Sequence, residues 1–435
     1  MQFRGIHHTN LRTINSKILA LIVLFPVLMS GCQFSPTSLF RTEIEIDVPR
    51  EFPVSDHTEM IGKLAVIYTR EGDSLPDIAR HFGLGFENIT NANPHVDIWT
   101  PQEGTRILLP MQFILPDAKK KGIVLNLSSL RLFHYSGGQS AHVSTFPVGI
   151  GREGWSTPIG STRIVGKNIN PSWYVPASVL REHAAKGDPL PRVVKPGPDN
   201  PLGRYALRLG MPRYLIHGTN KPYGIGMRIS HGCVRLYPED IEILFKQTAV
   251  KTTVRIIDQP YLTAWHRGVL YLEAHKALKN DKNTIKKLRK VLTTKLHKIS
   301  LSSSKKIDWE KVERILTREN GIPTPILKGT TEFAQLLDQL PNAAHPGRFL
   351  SEPEILPISL GDWVIVVTHY TEERDAKKLA AILRHQGPSI PSRYFKSQGL
   401  YWVFAGPFDN QETAKSASKR ILREFGIQPQ RIKRL

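Results

Sequence analysis

The chain contains two cysteines, Cys32 and Cys233. Cys233 lies in the run Ile229-Ser230-His231-Gly232-Cys233-Val234-Arg235-Leu236, and a second histidine, His217, ends the apolar, strand-like run Tyr214-Leu215-Ile216-His217 sixteen residues earlier. A free thiol has a pKa near ~8.5 and is only a few per cent thiolate at neutral pH. An imidazole brought beside it takes the proton and later returns it to a leaving amine. A solitary thiol with histidine in reach, bracketed by glycine, is therefore suited to attack a carbonyl. His217 is the better base. His231, two residues from the thiol, points to the opposite side of an extended segment, so its expected work is to fix the loop or shape an oxyanion site. Gly232 lets backbone approach closely and leaves amide N–H groups free for a developing oxyanion, each donor worth about 3 kcal/mol in comparable sites. Arg235 offers a planar fork that suits a substrate carboxylate or a structural ion pair, and the sequence leaves both open. His217, His231 and Cys233 are also zinc-ligand types, but no fourth ligand and no CxxC accompany them, and the chemistry calls for no cofactor.

The first thirty-two residues read as an export segment. Arg4, Arg12 and Lys17 precede the apolar run Ile18 to Met29, twelve residues where a membrane-spanning helix needs about twenty. Met29-Ser30-Gly31-Cys32 follows and resembles a bacterial lipobox, which implies cleavage after residue 31, a lipid on Cys32, and, with Gln33 next, a place on the periplasmic side of the outer membrane. Export puts Cys233 in an oxidising compartment. With Cys32 lipidated it has no partner there, and a lone thiol needs a reason. The net charge is +21, from 59 Lys and Arg against 38 Asp and Glu. Nucleic acid is the usual partner of such a balance, and export argues against it, leaving lipid head groups and cell-wall carboxylates. Part of the charge is local: residues Lys276 to Asp308 hold eleven Lys or Arg against two Asp, a pattern expected of a solvated helix or linker.

Composition divides the rest. Residues 32–63 read as a polar tether. Residues 64–110 carry a strand at Ala65 to Tyr68, turn chemistry at Glu71-Gly72-Asp73, and Ser74 capping a helix with Leu75, Ile78, Ala79 and Phe82 at helical spacing. A second helix with Phe86 and Ile89 ends at Asn91-Ala92-Asn93-Pro94, and Arg106 to Pro110 closes as a strand. This β-α-α-β order, with Gly72-Asp73-Ser74-Leu75 and Asn91-Ala92-Asn93-Pro94, looks like a LysM module, which implies binding to N-acetylglucosamine-containing glycan. Residues 120–275 are β-rich. Ile123 to Leu127 and Leu130 to Tyr135 predict a hairpin, Val143 to Ile150 a third strand, and Pro238-Glu239-Asp240 the start of a helix through Phe245. Between Pro171 and Pro201 stand seven prolines, a long insertion expected to be a functional lid. Residues 276–360 are weakly patterned and expected to be a basic, then Pro-containing, spacer. Residues 361–435 predict a β-α-β-β-α-β order of ferredoxin type. With Tyr401-Trp402-Val403 and Ala405-Gly406-Pro407-Phe408 they resemble a SPOR domain, implying affinity for glycan strands stripped of peptides.

His217-Gly218 and Ser230-His231-Gly232-Cys233-Val234-Arg235, with Thr157-Pro158-Ile159-Gly160 upstream, resemble the L,D-transpeptidase catalytic domain of the YkuD type. The resemblance implies a mostly β, sandwich-like fold, Cys233 as nucleophile, His217 as general base, and the Gly218 carbonyl orienting that base. Ser230 and Tyr223 join Arg235 as expected substrate contacts. The implied reaction is acyl transfer: Cys233 attacks the third-residue carbonyl of a peptidoglycan tetrapeptide stem and releases D-alanine, and an amine of a second stem or of an outer-membrane lipoprotein takes the acyl group. Hydrolysis, the carboxypeptidase outcome, and an inactive wall-binding scaffold remain as alternatives.

Overall fold

The computed structural model describes residues 50–137, 141–185, 187–349, 357–385, 387 and 389–435. Cys32 and the export segment lie outside them.

The hairpin predicted at Ile123 forms from strands Gly122–Asn126 and Arg131–Tyr135, with Leu125 opposite Leu132. Both strands belong to a mixed nine-stranded sheet. Its spatial order is Glu51–Pro53, His142–Pro147, Arg131–Tyr135, Gly122–Asn126, Thr253–Ile257, Gly160–Ile169, Tyr205–Leu209, Leu215–His217 and Val234–Arg235. Side chains alternate along a strand, so each strand feeds two cores. Ile123, Leu125, Leu132 and Phe146 pack with Ile241 and Leu244 of the helix Pro238–Gln247. Val124, Phe133, Tyr135 and Val143 pack on the other face with Ile67, Leu75, Ile78 and Ile89.

Those last four residues belong to the β-α-α-β unit read from the sequence. Strands Ala65–Tyr68 and Arg106–Leu109 pair antiparallel around helices Leu75–His81 and Phe86–Ala92. Ser74 caps the first helix as expected, its Oγ accepting from the Asp77 N–H at 3.3 Å. The unit shares its core with the large sheet rather than closing on itself, because its own few apolar side chains cover too little area to stand alone. Arg80 reinforces the join with a bidentate pair to Glu239 at 2.8 and 2.9 Å.

Three segments differ from expectation. The tether's second half contributes strands Glu51–Pro53 and Met60–Gly62. The Pro-rich insertion holds a helix, Ala177–Ala185, in the proline-free stretch between Pro176 and Pro189. The stretch from Lys276, expected to be a solvated basic helix or linker, does contain helices, Lys282–Ser302 and Trp309–Arg318, but they are packed against a core rather than solvated all round. Leu292, Leu296, Val312 and Ile315 of these helices form a core with Leu270 and Leu272 of the strand Val269–Ala274. Thinly spread apolar positions (Leu292 and Leu296 among lysines) hid that pattern.

The C-terminal unit has the expected β-α-β-β-α-β order. Its sheet runs Ser392–Ser397, Leu400–Phe408, Trp363–Tyr370, Arg431–Arg434, with helices Glu373–His385 and Gln411–Phe425. No helix among the described residues is long and apolar enough to cross a membrane.

Candidate active site

Strands Leu215–His217 and Val234–Arg235 run parallel at the end of the sheet, with Ile216 beside Val234 and His217 beside Arg235. Continuing that register sets Cys233 beside Leu215. Alternate residues share a face, so Cys233, His217 and Arg235 stand on one side of this two-strand edge. The Arg235 charge acts on both the thiol and the imidazole.

His217 is 3% exposed. Its Nδ1 lies 2.6 Å from the Gly218 carbonyl oxygen. A carbonyl can only accept, so Nδ1 carries the proton and Nε2 keeps a free lone pair. Burial pushes the imidazole pKa down to about 3, helped by Arg235 and opposed by the Gly218 and Leu202 carbonyls. The ring is a neutral base at neutral pH. Burial raises the Cys233 thiol above its ordinary value, against the pull of the Leu215 backbone N–H and Arg235. The thiol donates weakly to the Arg213 carbonyl at 3.6 Å. At neutral pH both groups are therefore uncharged, the thiol protonated and the imidazole neutral.

Cys233 sits on a braced turn. Ser230 Oγ accepts from the Gly232 N–H at 3.1 Å and donates to the Cys233 carbonyl at 2.6 Å. Thr157 Oγ1 donates to the Gly232 carbonyl at 2.8 Å and accepts from the Gly151 N–H at 3.1 Å. Gly232 has φ +106°, and a Cβ there would meet Tyr214 Cε1 at 3.0 Å, which is why glycine stands at this position. Two expectations change. The Gly232 N–H is committed to Ser230 rather than free. Ser230 is fully buried, so its hydroxyl shapes the turn instead of meeting substrate.

His231 faces the helix Ala177–Ala185 of the Pro-rich insertion. Its Nε2 lies 2.9 Å from Glu182 Oε2 and 3.2 Å from Arg152 Nη2, and its ring meets Trp155 edge-on at 4.9 Å between centroids. The loop-fixing role is the one this geometry serves. Arg235 pairs with no carboxylate among the described residues, and its buried Nε has no hydrogen-bond partner. Of the two options the sequence left open, the ion pair is absent there. Tyr223, half-buried on the turn Pro222–Gly224, has its pKa raised by burial and by Glu424 of the C-terminal unit, while Arg235 pulls it down. No group of three or more His, Cys, Asp or Glu among the described residues could hold a metal ion.

Residues 120–256 match the L,D-transpeptidase catalytic domain family (YkuD), and residues 359–433 match the SPOR domain family. The chain is 43% identical over 228 residues to the probable L,D-transpeptidase YbiS of Escherichia coli (strain K12), covering 52% of this chain and 74% of that protein. It is 35% identical over 309 residues to the probable L,D-transpeptidase ErfK/SrfK of the same organism, covering 69% of this chain and 97% of that protein. The chain belongs to the L,D-transpeptidase family. This L,D-transpeptidase is a peptidoglycan-modifying enzyme that carries a C-terminal SPOR domain. A solved L,D-transpeptidase from Mycobacterium tuberculosis H37Rv matches at 17% identity and a TM-score of 0.23, over 32% of this chain and 58% of that one.

Four residues of the site went unassigned in the sequence: Arg152, Trp155, Thr157 and Glu182. Thr157 stood in a quoted motif without a role. Glu182 is one of three acids in the Pro-rich insertion, and only folding sets it against His231.

Proposed function

We propose that Cys233 is the acylating nucleophile, with His217 its general base and then general acid. The Cys233 sulfur attacks the third-residue carbonyl of a tetrapeptide stem while its proton passes to His217 Nε2. The tetrahedral adduct expels D-alanine, whose nitrogen takes that proton, and a thioester remains. An incoming amine attacks the thioester, loses its proton to His217, and the thiol is released. With the Gly232 N–H committed, the Cys233 N–H is the amide assigned to the oxyanion. Arg235 is assigned to a stem carboxylate, and Tyr223 lines the approach.

The observation that carries this reading is the His217 Nδ1–Gly218 contact, which fixes the tautomer that presents Nε2 as a base. That Arg235 meets no carboxylate among the described residues, with its buried Nε lacking a hydrogen-bond partner there, supports a carboxylate-bearing substrate. The acceptor is assigned to the amine of another stem, giving a cross-link between third residues; a lipoprotein lysine is the second acceptor to test. Intact mass after incubation with tetrapeptide should show a thioester adduct and free D-alanine. Cys233→Ala should show neither, and an adduct on that variant would remove Cys233 from the role.

The flanking units supply reach. We assign the β-α-α-β unit, by its fold and its LysM-like motifs, to N-acetylglucosamine-containing glycan, and the SPOR domain to glycan strands stripped of peptides. Tethering of this kind raises the effective substrate concentration to the millimolar range. Cys32 is assigned to a lipid that holds the enzyme on the periplasmic side of the outer membrane. Partition into detergent, lost in Cys32→Ala, tests it; equal partition of both proteins would refute it.

A further inference from the structure

The lid and the nucleophile's turn meet through one carboxylate. Glu182 lies on the lid helix Ala177–Ala185. Its Oε2 reaches His231 Nε2 at 2.9 Å, and Arg152 Nη2 lies 2.8 and 2.6 Å from its two oxygens. His231 immediately precedes Gly232 and Cys233. Arg152 follows the short strand Ile150–Gly151, which pairs with Arg228–Ser230, and its own N–H donates to the Ser230 carbonyl at 3.0 Å. Trp155 meets the same imidazole edge-on. Glu182 therefore holds the residues that immediately follow two paired strands, Ile150–Gly151 and Arg228–Ser230, the second of which leads into the Gly232-Cys233 turn.

The same helix is held beyond its C-terminal end. Asp188 accepts from Arg423 of the SPOR domain at 2.7 Å and lies 3.1 Å from His183 Nδ1. The lid helix thus spans from the catalytic turn to the C-terminal domain, and its seating bears directly on Cys233. Glu182, Arg152 and His231 are part-buried, where a charge-assisted contact is only partly screened by solvent, whereas the Arg423 contact is exposed.

We propose that Glu182 is a positioning residue that couples lid closure to the seat of the nucleophile. With the lid helix down, Glu182 holds His231 and Arg152, and the Gly232-Cys233 turn is fixed for attack. With the lid raised, the turn loses that hold and water reaches the thioester. Glu182 touches no reacting atom; it acts through His231. The inference rests on Cys233 being the nucleophile.

The test uses the full-length enzyme with a tetrapeptide donor and an amine acceptor, and compares Glu182→Ala, Glu182→Gln, His231→Ala and the double variant Glu182→Ala/His231→Ala. Coupled neighbours exchange enough energy for roughly tenfold effects on rate. Glu182→Ala should lower kcat roughly tenfold with KM changed less than twofold, and should raise the fraction of thioester lost to water. Glu182→Gln keeps an acceptor for His231 and loses the charge facing Arg152, so it should fall between Glu182→Ala and the parent. The double variant should be no slower than the worse single variant. Losses that multiply in the double variant, a kcat within twofold of the parent in Glu182→Ala, or an unchanged ratio of hydrolysis to transfer would each overturn the coupling. A parent enzyme that forms no thioester on Cys233 would instead overturn the reading of the site itself.

Discussion

Replacing Thr157 with valine tests the braced turn with almost no change of shape. Thr157 is 5% exposed, and its hydroxyl is the single atom that joins the Gly232 carbonyl, at 2.8 Å, to the Gly151 N–H, at 3.1 Å. Valine fills the same space and leaves both backbone groups without that partner. Each buried orphan costs about 1–3 kcal/mol, so about 2–6 kcal/mol is at stake. The cost has two outlets. If the turn keeps its shape, the whole of it falls on stability and the urea midpoint drops. If the Gly232 carbonyl swings toward water, stability recovers, but Cys233 leaves its seat and kcat falls, tenfold for about 1.4 kcal/mol of lost transition-state stabilisation. Equilibrium urea unfolding and D-alanine release, measured on the same preparations, therefore report the two outlets separately. Thr157→Ser restores the hydroxyl and gives up one methyl group, worth about 0.8 kcal/mol, so it should lie near the parent on both axes. Wild-type values for both midpoint and kcat in Thr157→Val would refute the reasoning.

Two pH dependences follow from the buried histidines. His217 is held neutral down to about pH 3, chiefly by burial, so kcat/KM should show no acid limb near pH 6.5; a limb there, abolished by no other substitution, would count against His217 as the base. Its folded pKa lies below its unfolded value, so between about pH 6.5 and 3 the unfolded chain binds the extra proton and stability falls with pH. In His217→Gln that slope should lessen by up to about 1.4 kcal/mol per pH unit, as read from urea midpoints across the range. His385 behaves oppositely: its Nε2 faces Asp77 Oδ2 at 2.5 Å and its Nδ1 faces the Ala381 carbonyl at 2.7 Å, so both nitrogens carry protons. Burial opposes that charge, Arg384 adds to the opposition, and Asp77 with the Ala381 carbonyl outweighs both, which raises the pKa. The stabilisation is complete below the unfolded value and is lost as pH rises through the folded one. Hydrogen exchange in the helix Glu373–His385 should therefore quicken, beyond its intrinsic pH trend, from pH 6 to pH 9 in the parent, and the excess should vanish in His385→Gln.

Period and punctuation made much of this molecule legible. The alternation at Ile123 to Tyr135 gave the hairpin. Ser74 marked a true cap, and the apolar spacing of Ala376, Leu379, Ala380 and Leu383 marked a helix whose face is buried as expected. Residue type singled out Cys233 and His217, and the parallel register of Leu215–His217 with Val234–Arg235 sets their segments side by side. What stayed hidden shares a cause. Glu182 and His231 are forty-nine residues apart, and no local pattern connects a carboxylate of the Pro-rich insertion to a loop imidazole. The Ser230 hydroxyl looked available because its partners are backbone groups two and three residues onward, whose hydrogen bonds exist only in the folded turn. The helix Lys282–Ser302 buries two leucines among many lysines, which averages to a polar segment in any window.

The stretch from His217 to Cys233 is held by contacts from both flanking units, and this bears on where the enzyme can be cut. The N–H groups of Phe86 and Glu87, at the start of an N-terminal helix, donate to the Ile225 and Gly226 carbonyls at 2.8 and 3.2 Å. Gly85 and Gly226 meet so closely that a Cβ on Gly85 would lie 2.6 Å from the Gly226 Cα. From the other side, Lys221 pairs with Glu424 of the SPOR domain at 3.1 Å. Removing residues 50–110 would strip this support. It would also uncover Val124, Phe133, Tyr135 and Val143, each between 0% and 5% exposed. Buried side chains of this size are worth about 1.5–3 kcal/mol apiece, so their exposure approaches the whole stability of an ordinary domain, about 5–15 kcal/mol. The catalytic fold should therefore be insoluble or molten when begun at residue 111 and cooperative when begun at residue 50, as measured by urea unfolding. A cooperative transition in the shorter chain, with its midpoint unchanged, would mean that the shared core contributes no stability.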